Sequence, residues 1–172
     1  MDRVDMKRAQ VLDILDALQD RRRQGEMVVS QIMTTQPICV SAQSNVLELV
    51  RMIQIKAFRH LLVSDEQGRL VGVISDRDVL RCLGPGRSDK EMLSKIQAGD
   101  LMSTDLVTVT SRTPISEAVG IMIDQGISCL PIVDNGQPVG IMTNTDLHVL
   151  LQMLLQTIRL SASEKSLAAA GD

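Results

Sequence analysis

The pattern of apolar and polar positions occurs twice along this chain of 172 residues. One stretch places apolar residues at i, i+3, i+4 and i+7, which is the spacing of a helix with one buried face. Its positions are Val46, Leu49, Val50 and Ile53. The same spacing returns in the second half of the chain, at Ile115, Ala118, Val119 and Met122. The chain therefore contains an internal repeat, and each copy is expected to hold one amphipathic helix.

Short apolar runs beside each helix predict buried strands. Residues 61–63 and 130–132 keep the offset that separates the two helices, and each run ends at a turn that contains Asp65 or Asp134. Beyond this turn, from Gly72 to Gly140, the offset is smaller by one position. The second hairpin loop is therefore expected to be one residue shorter than the first, because duplicated units tolerate length changes at exposed turns.

These elements predict an α/β fold of the α+β type. Two β-α-β-β-α repeats are expected to be related by a pseudo-twofold axis, with an added N-terminal helix. The predicted divisions are an N-terminal helix and joint at residues 1–27, a first repeat at 28–83, a linker with a short helix at 84–99, a second repeat at 100–160, and a flexible tail at 161–172.

The last predicted helix, from about Asn144 to Leu160, is apolar on several sides of its helical wheel. Such a helix is buried on several sides, and the core of one repeat covers only one of them. A second copy of the chain is expected to cover the rest, so a homodimer is predicted. The alternative is that the N-terminal helix, with Val11, Leu12 and Leu15 inward, covers this surface in the same chain.

Composition narrows the classes of function. Phe58 is the only aromatic residue and the net charge is −3, so neither base-stacking platforms nor a basic surface for phosphate backbones are expected. Residues 21–23 are three arginines, which leave only weak support for a nucleic-acid partner. The charged N-terminus and the absence of an apolar run of about 18 residues favour a cytoplasmic protein without a membrane partner.

The three cysteines do not form a metal or disulfide pattern. Cys39, Cys82 and Cys129 are widely spaced, and only two histidines accompany them in the chain. We therefore expect no metal site, and we interpret the thiols as small buried apolar groups rather than redox groups.

Two pairs of matching motifs carry a resemblance to a known family. Residues 72–78 read GVISDRD and residues 140–146 read GIMTNTD, while the opening segments 32–38 and 101–107 read IMTTQPI and LMSTDLV. Over residues 28–155 the chain resembles a tandem pair of cystathionine-β-synthase (CBS) domains, known as a Bateman module. The resemblance implies regulation of a partner by an adenine nucleotide or related adenosyl ligand, bound in clefts between the copies. Candidate ligands are AMP, ADP, ATP and S-adenosylmethionine.

The hydroxyl and carboxylate of each motif admit two interpretations. Ser75 with Asp78, and Thr143 with Asp146, have the spacing of a capping box, in which both side chains bind backbone N–H groups of a helix start. The same side chains could bind a ligand, with the hydroxyl near phosphate or sugar oxygens and the carboxylate near the ribose diol. Gly72 and Gly140 favour the second interpretation, because glycine weakens a strand unless another group approaches it closely.

The resemblance also implies that the two clefts are crossed between the copies. The Asp146 cleft would be walled by Pro37, Ile38, Phe58, Arg59, His60 and Ile141. The Asp78 cleft would be walled by Val73, Leu106, Val107, Ile127, Ser128 and Cys129. Arg59 and His60 can bind phosphates, so the Asp146 cleft is expected to be the stronger, unless the two residues form only an exposed corner. Arg77, in the Asp78 motif, corresponds to the uncharged Thr145.

Catalytic chemistry finds no support in the sequence. No histidine lies near Ser75 or Thr143 in the sequence, His148 falls on a leucine-rich helix, and no glycine-rich phosphate loop is present. We expect a non-catalytic sensor that acts on an unidentified partner or across a dimer. The alternative is a dimerisation module without a ligand, in which the two motifs only cap helices.

Overall fold

The protein is described by a computed structural model that covers residues 26–56, 58–84 and 90–169. The predicted helix at residues 5–19 and the joint at 21–25 lie outside these ranges, as do residues 85–89 of the linker. No helix in the described ranges is both long enough and apolar enough to cross a membrane.

From the first sheet strand onward, the elements follow the order that the repeat predicts, except that the second repeat opens with a single bridge at Val109 instead of a strand. The described ranges contain a 3-10 helix (Val29–Gln31), β1 (Thr34–Thr35), β2 (Cys39–Ser41), α1 (Val46–Lys56), β3 (His60–Ser64), β4 (Leu70–Ser75), α2 (Asp76–Cys82), α3 (Lys90–Lys95), α4 (Ala98–Leu101), α5 (Ile115–Asp124), β5 (Cys129–Asp134), β6 (Gln137–Thr143) and α6 (Asn144–Ala169). The predicted mixed α/β fold is confirmed.

The strand pairing repeats with the sequence. One sheet has the order β2-β3-β4, with β2 parallel and β4 antiparallel to β3, and the other has the order β1-β6-β5. In the first sheet Val40 lies opposite Val63 in a parallel pair. Val109 forms a parallel bridge with Ile132, and these are the two residues of the second repeat that correspond to Val40 and Val63. The internal repeat is therefore present in the hydrogen bonding as well as in the sequence.

The two hairpin turns differ by one residue, as the offsets predict. In the first, Asp65 N–H donates to Arg69 O at 2.9 Å, which leaves a turn of residues 66–68 that ends at Gly68 with φ +78°. In the second, β5 and β6 are joined by Asn135 (φ +51°) and Gly136 (φ +80°). Two consecutive residues of positive φ make the tight turn whose twist matches antiparallel strands.

The contacts divide the chain into two compact units. Among the described residues, unit 1 holds residues 26–34, 111–130 and 142–169, and unit 2 holds the remaining ones. These boundaries differ from those of the predicted repeats. One reason lies inside unit 2, where Ser103 of the second repeat pairs with Val73 of the first.

Each unit has an aliphatic core. In unit 2 the predicted helix positions Val46 and Leu49 are fully buried, together with Leu61, Val63 and Ile74 of the sheet. In unit 1 the matching α5 positions Ile115, Ala118 and Met122 are buried. Val149, Leu150 and Met153 of α6 are buried as well.

Two local predictions differ from the structure. Cys82 and Cys129 are buried as expected, but the prediction for Cys39 is wrong, because this residue points outward from β2 and is exposed. The last helix continues past the predicted end at Leu160 and reaches Ala169. Alanine favours helix strongly, so the Ser/Ala-rich segment extends α6. The flexibility of residues 161–172 stays a prediction.

Candidate functional site

The first motif closes a capping box at the junction of β4 and α2. Ser75 N–H donates to Asp78 Oδ2 at 2.9 Å, and Ser75 Oγ donates to the same oxygen at 2.6 Å. Asp78 N–H donates back to Ser75 Oγ at 3.3 Å. We call these two residues the Ser75 box. Its carboxylate side chain is 24% exposed, and Asp78 Oδ1 accepts a hydrogen bond from Arg81 Nη1 at 3.1 Å.

The second motif forms a matching group at the junction of β6 and α6. Thr143 N–H donates to Asp146 Oδ2 at 2.7 Å, and Thr143 Oγ1 donates to the same oxygen at 2.9 Å. Thr34 Oγ1 lies 3.4 Å from Asp146 Oδ1, as a weak donor. We call Thr143 and Asp146 the Thr143 box. Asp146 is only 2% exposed, so this carboxylate is far less accessible than Asp78.

Cationic side chains lie beside the Ser75 box within unit 2. In the β3–β4 register His60 is opposite Ser75, and Asp76 N–H donates to Arg59 O at 2.9 Å. Arg77 and Arg81 project from α2 and are exposed, as is Arg59. Both Arg59 and His60 therefore lie near the Ser75 box along the β3–β4 hairpin, and their assignment to the Asp146 cleft stays a prediction.

Burial controls the ionisation of His60. Burial lowers the pKa of the imidazole below its ordinary value of 6.5. The negative charges of Asp76 and Asp78 raise this pKa, and the positive charges of Arg59 and Arg77 lower it further. A neutral His60 can accept a hydrogen bond or donate one through its other ring nitrogen. An anion bound beside it would favour the protonated ring.

Ser128 and Cys129 lie near the Thr143 box within unit 1. Asn144 N–H donates to Ser128 O at 3.2 Å, which places the start of β5 beside the start of α6. Burial, with a smaller effect of the charge on Asp146, raises the pKa of the Cys129 thiol to about 12. This thiol stays protonated near neutral pH, so it is not an activated nucleophile. Ile127 and Ser128 line a cavity of about 310 Å³ between α5 and α6.

The remaining predicted wall residues all lie in unit 2. Pro37, Ile38, Phe58, Val73, Leu106 and Val107 are half-buried, and Ile141 is buried. Unit 2 therefore contains the Ser75 box together with most of the predicted walls. Unit 1 contains the Thr143 box with Ile127, Ser128 and Cys129. The crossed assignment of walls to carboxylates stays a prediction.

Three contacts near the boxes were not predicted. Met102 packs against Gly72, Arg81 binds Asp78, and Thr34 approaches Asp146. The contact between Arg81 and Asp78 could have been predicted, because residues at i and i+3 of a helix are neighbours on its surface. The other two join residues distant in sequence, and spacing alone does not reveal such contacts. Among the described residues no group of three or more histidine, cysteine or acidic side chains could hold a metal ion.

Sequence comparison agrees with the repeat found in the fold. The CBS domain family model matches residues 29–84 and 98–152. The CBS domain-containing protein YhcV of Bacillus subtilis is 34% identical over 122 residues, which are 70% of this chain and 83% of that protein. Protein MK0525 of Methanopyrus kandleri is 29% identical over 136 residues, and the match covers 78% of this chain but only 65% of that protein.

Solved structures match over a similar part of the chain. The CBS domain pair of protein MJ0100, in complex with 5′-methylthioadenosine and S-adenosyl-L-methionine, is 25% identical with a TM-score of 0.63, over 73% of this chain and 99% of that chain. CBSX2 in complex with AMP is 26% identical with a TM-score of 0.63, over 76% of this chain and 97% of that chain. With two matched domains, two repeated sheets and two equivalent boxes, the chain belongs to the CBS domain family.

Proposed function

We propose that the protein is a non-catalytic regulatory module that binds an adenosyl ligand at its two boxes. The observation that carries this proposal is the Ser75 box. It combines a partly exposed carboxylate with nearby cationic side chains in a single unit. A ribose diol needs an acceptor for its two hydroxyls, and phosphates need cations or N–H donors.

Asp78 is the group that would bind the ribose. Its Oδ1 accepts only from Arg81 among the described contacts, and the Arg81 side chain is 78% exposed. Surface ion pairs of this kind contribute little free energy, so a ligand hydroxyl can replace Arg81 at small cost. Arg59, Arg77 and His60 lie near this box, and in the proposal they bind the phosphates. The Ser75 box should therefore prefer AMP, ADP or ATP over the cationic S-adenosylmethionine.

The Thr143 box is proposed as the second, chemically different site. Asp146 is only 2% exposed, so a ligand there meets a far less accessible carboxylate than at the Ser75 box. We also propose that the other predicted wall residues line the ligand clefts. They are Pro37, Ile38, Phe58, Val73, Leu106, Val107, Ile127 and Ile141. The Ser75 box is complete as a cap without any ligand, which is the observation that favours the alternative of a ligand-free dimerisation module.

The solved relatives support the ligand class. The MJ0100 pair was crystallised with two adenosyl compounds, and CBSX2 with AMP. Both share the tandem repeat with this chain at about a quarter identity. The proposal for this chain includes signalling to an unidentified partner or across a homodimer, in a cytoplasmic setting. A ligand can signal only if it binds one arrangement of the module more tightly than another.

A thermal-shift screen tests the ligand class. AMP, ADP, ATP, S-adenosylmethionine and adenosine would each be added at increasing concentration, with inorganic phosphate as the control for anion binding alone. A ligand at about 100 times its Kd stabilises the fold by roughly 2.7 kcal/mol, so the melting temperature should rise with the phosphorylated adenosines. If none of the adenosyl compounds shifts the transition, the sensor proposal is wrong and the dimerisation module is favoured.

A further inference from the structure

A close contact in unit 2 joins two segments that are distant in sequence. Gly72 lies in β4, and Met102 directly follows α4. A Cβ added at Gly72 would lie 2.8 Å from Met102 Cγ and 2.9 Å from Met102 Cβ, and it would also overlap Sδ. Because Met102 Cβ is attached to the backbone, side-chain rotation alone cannot make room. Glycine is therefore required where the opening segment of the second repeat crosses the strand.

The contact continues in the backbone beside it. Ser103 N–H donates to Val73 O at 2.9 Å, and Val73 N–H donates to Ser103 O at 3.1 Å. The backbone N–H and C=O groups of Val73 are therefore both hydrogen-bonded to Ser103 of the other repeat. The Met102 side chain and this pair of hydrogen bonds hold the same short stretch of β4, which ends at the Ser75 box.

The chain that follows is fixed again at its far end. Val109 N–H donates to Pro131 O at 3.2 Å and Val109 O accepts from Val133 N–H at 2.8 Å. We call residues 103–109 the strap. Leu106 and Val107, which the resemblance assigns to the wall of the Asp78 cleft, lie in its middle and are half-buried.

We propose that Met102 is a positioning residue for the ligand at the Ser75 box. By packing on Gly72 it fixes where the strap begins, and it thereby sets the position of Val73, Leu106 and Val107 relative to Asp78. The proposal rests on the proposed function, because it needs a ligand at that box. In this proposal the affinity for the ligand depends on the contact between Met102 and Gly72, although neither residue touches the ligand.

Size exchange between the two residues tests this role. Gly72→Ala should weaken binding of AMP roughly tenfold, because the added methyl group overpacks this contact and displaces the backbone of β4 and of the strap. Met102→Ala should also weaken binding, since the strap loses its anchor. In the double variant the new methyl group fills the space that the thioether leaves, so binding should recover to within about threefold of wild type. Affinity is measured by titration calorimetry on variants that melt cooperatively.

Controls separate positioning from general damage. Gly120→Ala adds a methyl group to α5 where no atom lies within 4 Å, and it should leave affinity unchanged. Met102→Leu keeps most of the side-chain volume and should bind AMP like wild type. If Gly72→Ala does not fold, the difference in affinity between Met102→Leu and Met102→Ala tests the positioning role. Affinity that is unchanged in folded Gly72→Ala and Met102→Ala, or a double variant as weak as the product of the single losses, would overturn the positioning role while the proposed function stands. Absence of binding to the wild type would instead reject the proposed function, and the positioning role with it.

Discussion

Asp78 and Asp146 hold equivalent positions in the two repeats but have different surroundings. The side chain of Asp78 is 24% exposed and faces Arg81, whereas Asp146 is 2% exposed and faces Thr34. The Ser/Thr-x-x-Asp spacing admitted a cap in both copies, and the reciprocal cap is complete at Ser75 and Asp78. Antiparallel pairing of β3 with β4 places His60 opposite Ser75, while the assignment of Arg59 and His60 to the Asp146 cleft stays a prediction.

The two boxes should contribute differently to stability. Asp146→Ala leaves the buried Thr143 N–H without its acceptor, so the free energy of unfolding should fall by about 2–3 kcal/mol. Asp78→Ala removes a partly exposed cap, and the expected loss is about 1 kcal/mol. Urea unfolding of the two matched variants measures the difference. Equal losses would contradict the inferred difference in burial.

His60 should make stability depend on pH. Its pKa is lowered in the folded protein, so the unfolded chain binds the proton more tightly. The stabilisation is complete above the ordinary pKa of 6.5 and is lost as the pH falls through the lowered folded value. His60→Gln should flatten the curve of unfolding free energy between neutral and mildly acidic pH. A curve that is unchanged in His60→Gln would show that another group is responsible.

At the scale of elements, apolar spacing and the offsets between the copies predicted the helices and hairpins. They did not predict contacts between segments that are distant in sequence. The smaller offset between the copies after the hairpin predicted the shorter second turn, because register on both sides of a turn is visible in sequence. The packing of Met102 on Gly72 was not predicted. Gly72 signalled a close approach, but we attributed that approach to a ligand, and sequence does not show which segment crosses a strand.

The β5–β6 turn should be sensitive to loss of its glycine. Gly136 has φ +80°, and alanine there is strained even though no atom lies within 4 Å of its Cβ position. Gly136→Ala should therefore lower the free energy of unfolding by about 1 kcal/mol or more. Gly120→Ala offers a matched control, since it adds the same methyl group in open space within a helix and should stabilise. A neutral or stabilising Gly136→Ala would contradict the assigned backbone conformation.

At the scale of the whole molecule, α6 carries the clearest signal for assembly. Leu151, Leu155 and Ile158 are 54%, 58% and 63% exposed and follow one helical stripe. The helical wheel predicted that this helix is apolar on more than one side, and the structure shows which residues stay uncovered among those described. The oligomeric state in solution distinguishes a second copy of the chain from the N-terminal segment as the cover of this stripe.

A single charge on the α6 stripe should weaken a homodimer. Leu155→Glu places a carboxylate in the proposed interface, so the protein should elute and scatter light as a monomer at concentrations where the wild type is a dimer. Gln156→Glu adds the same charge at the neighbouring exposed position and should leave the dimer intact. A wild type that is monomeric throughout a dilution series would contradict the proposed dimer and favour coverage by the N-terminal segment.

The central claim is that Asp78 binds the ribose of an adenosyl ligand. Titration calorimetry with AMP and 2′-deoxy-AMP, on the wild type and on Asp78→Asn, tests it most directly. The wild type should bind AMP about tenfold or more tightly than the deoxy compound, because a hydrogen bond to a charged carboxylate is lost. In Asp78→Asn the two compounds should bind with similar, weaker affinity. If the preference for AMP persists undiminished in Asp78→Asn, or if the wild type binds neither compound, the account is contradicted.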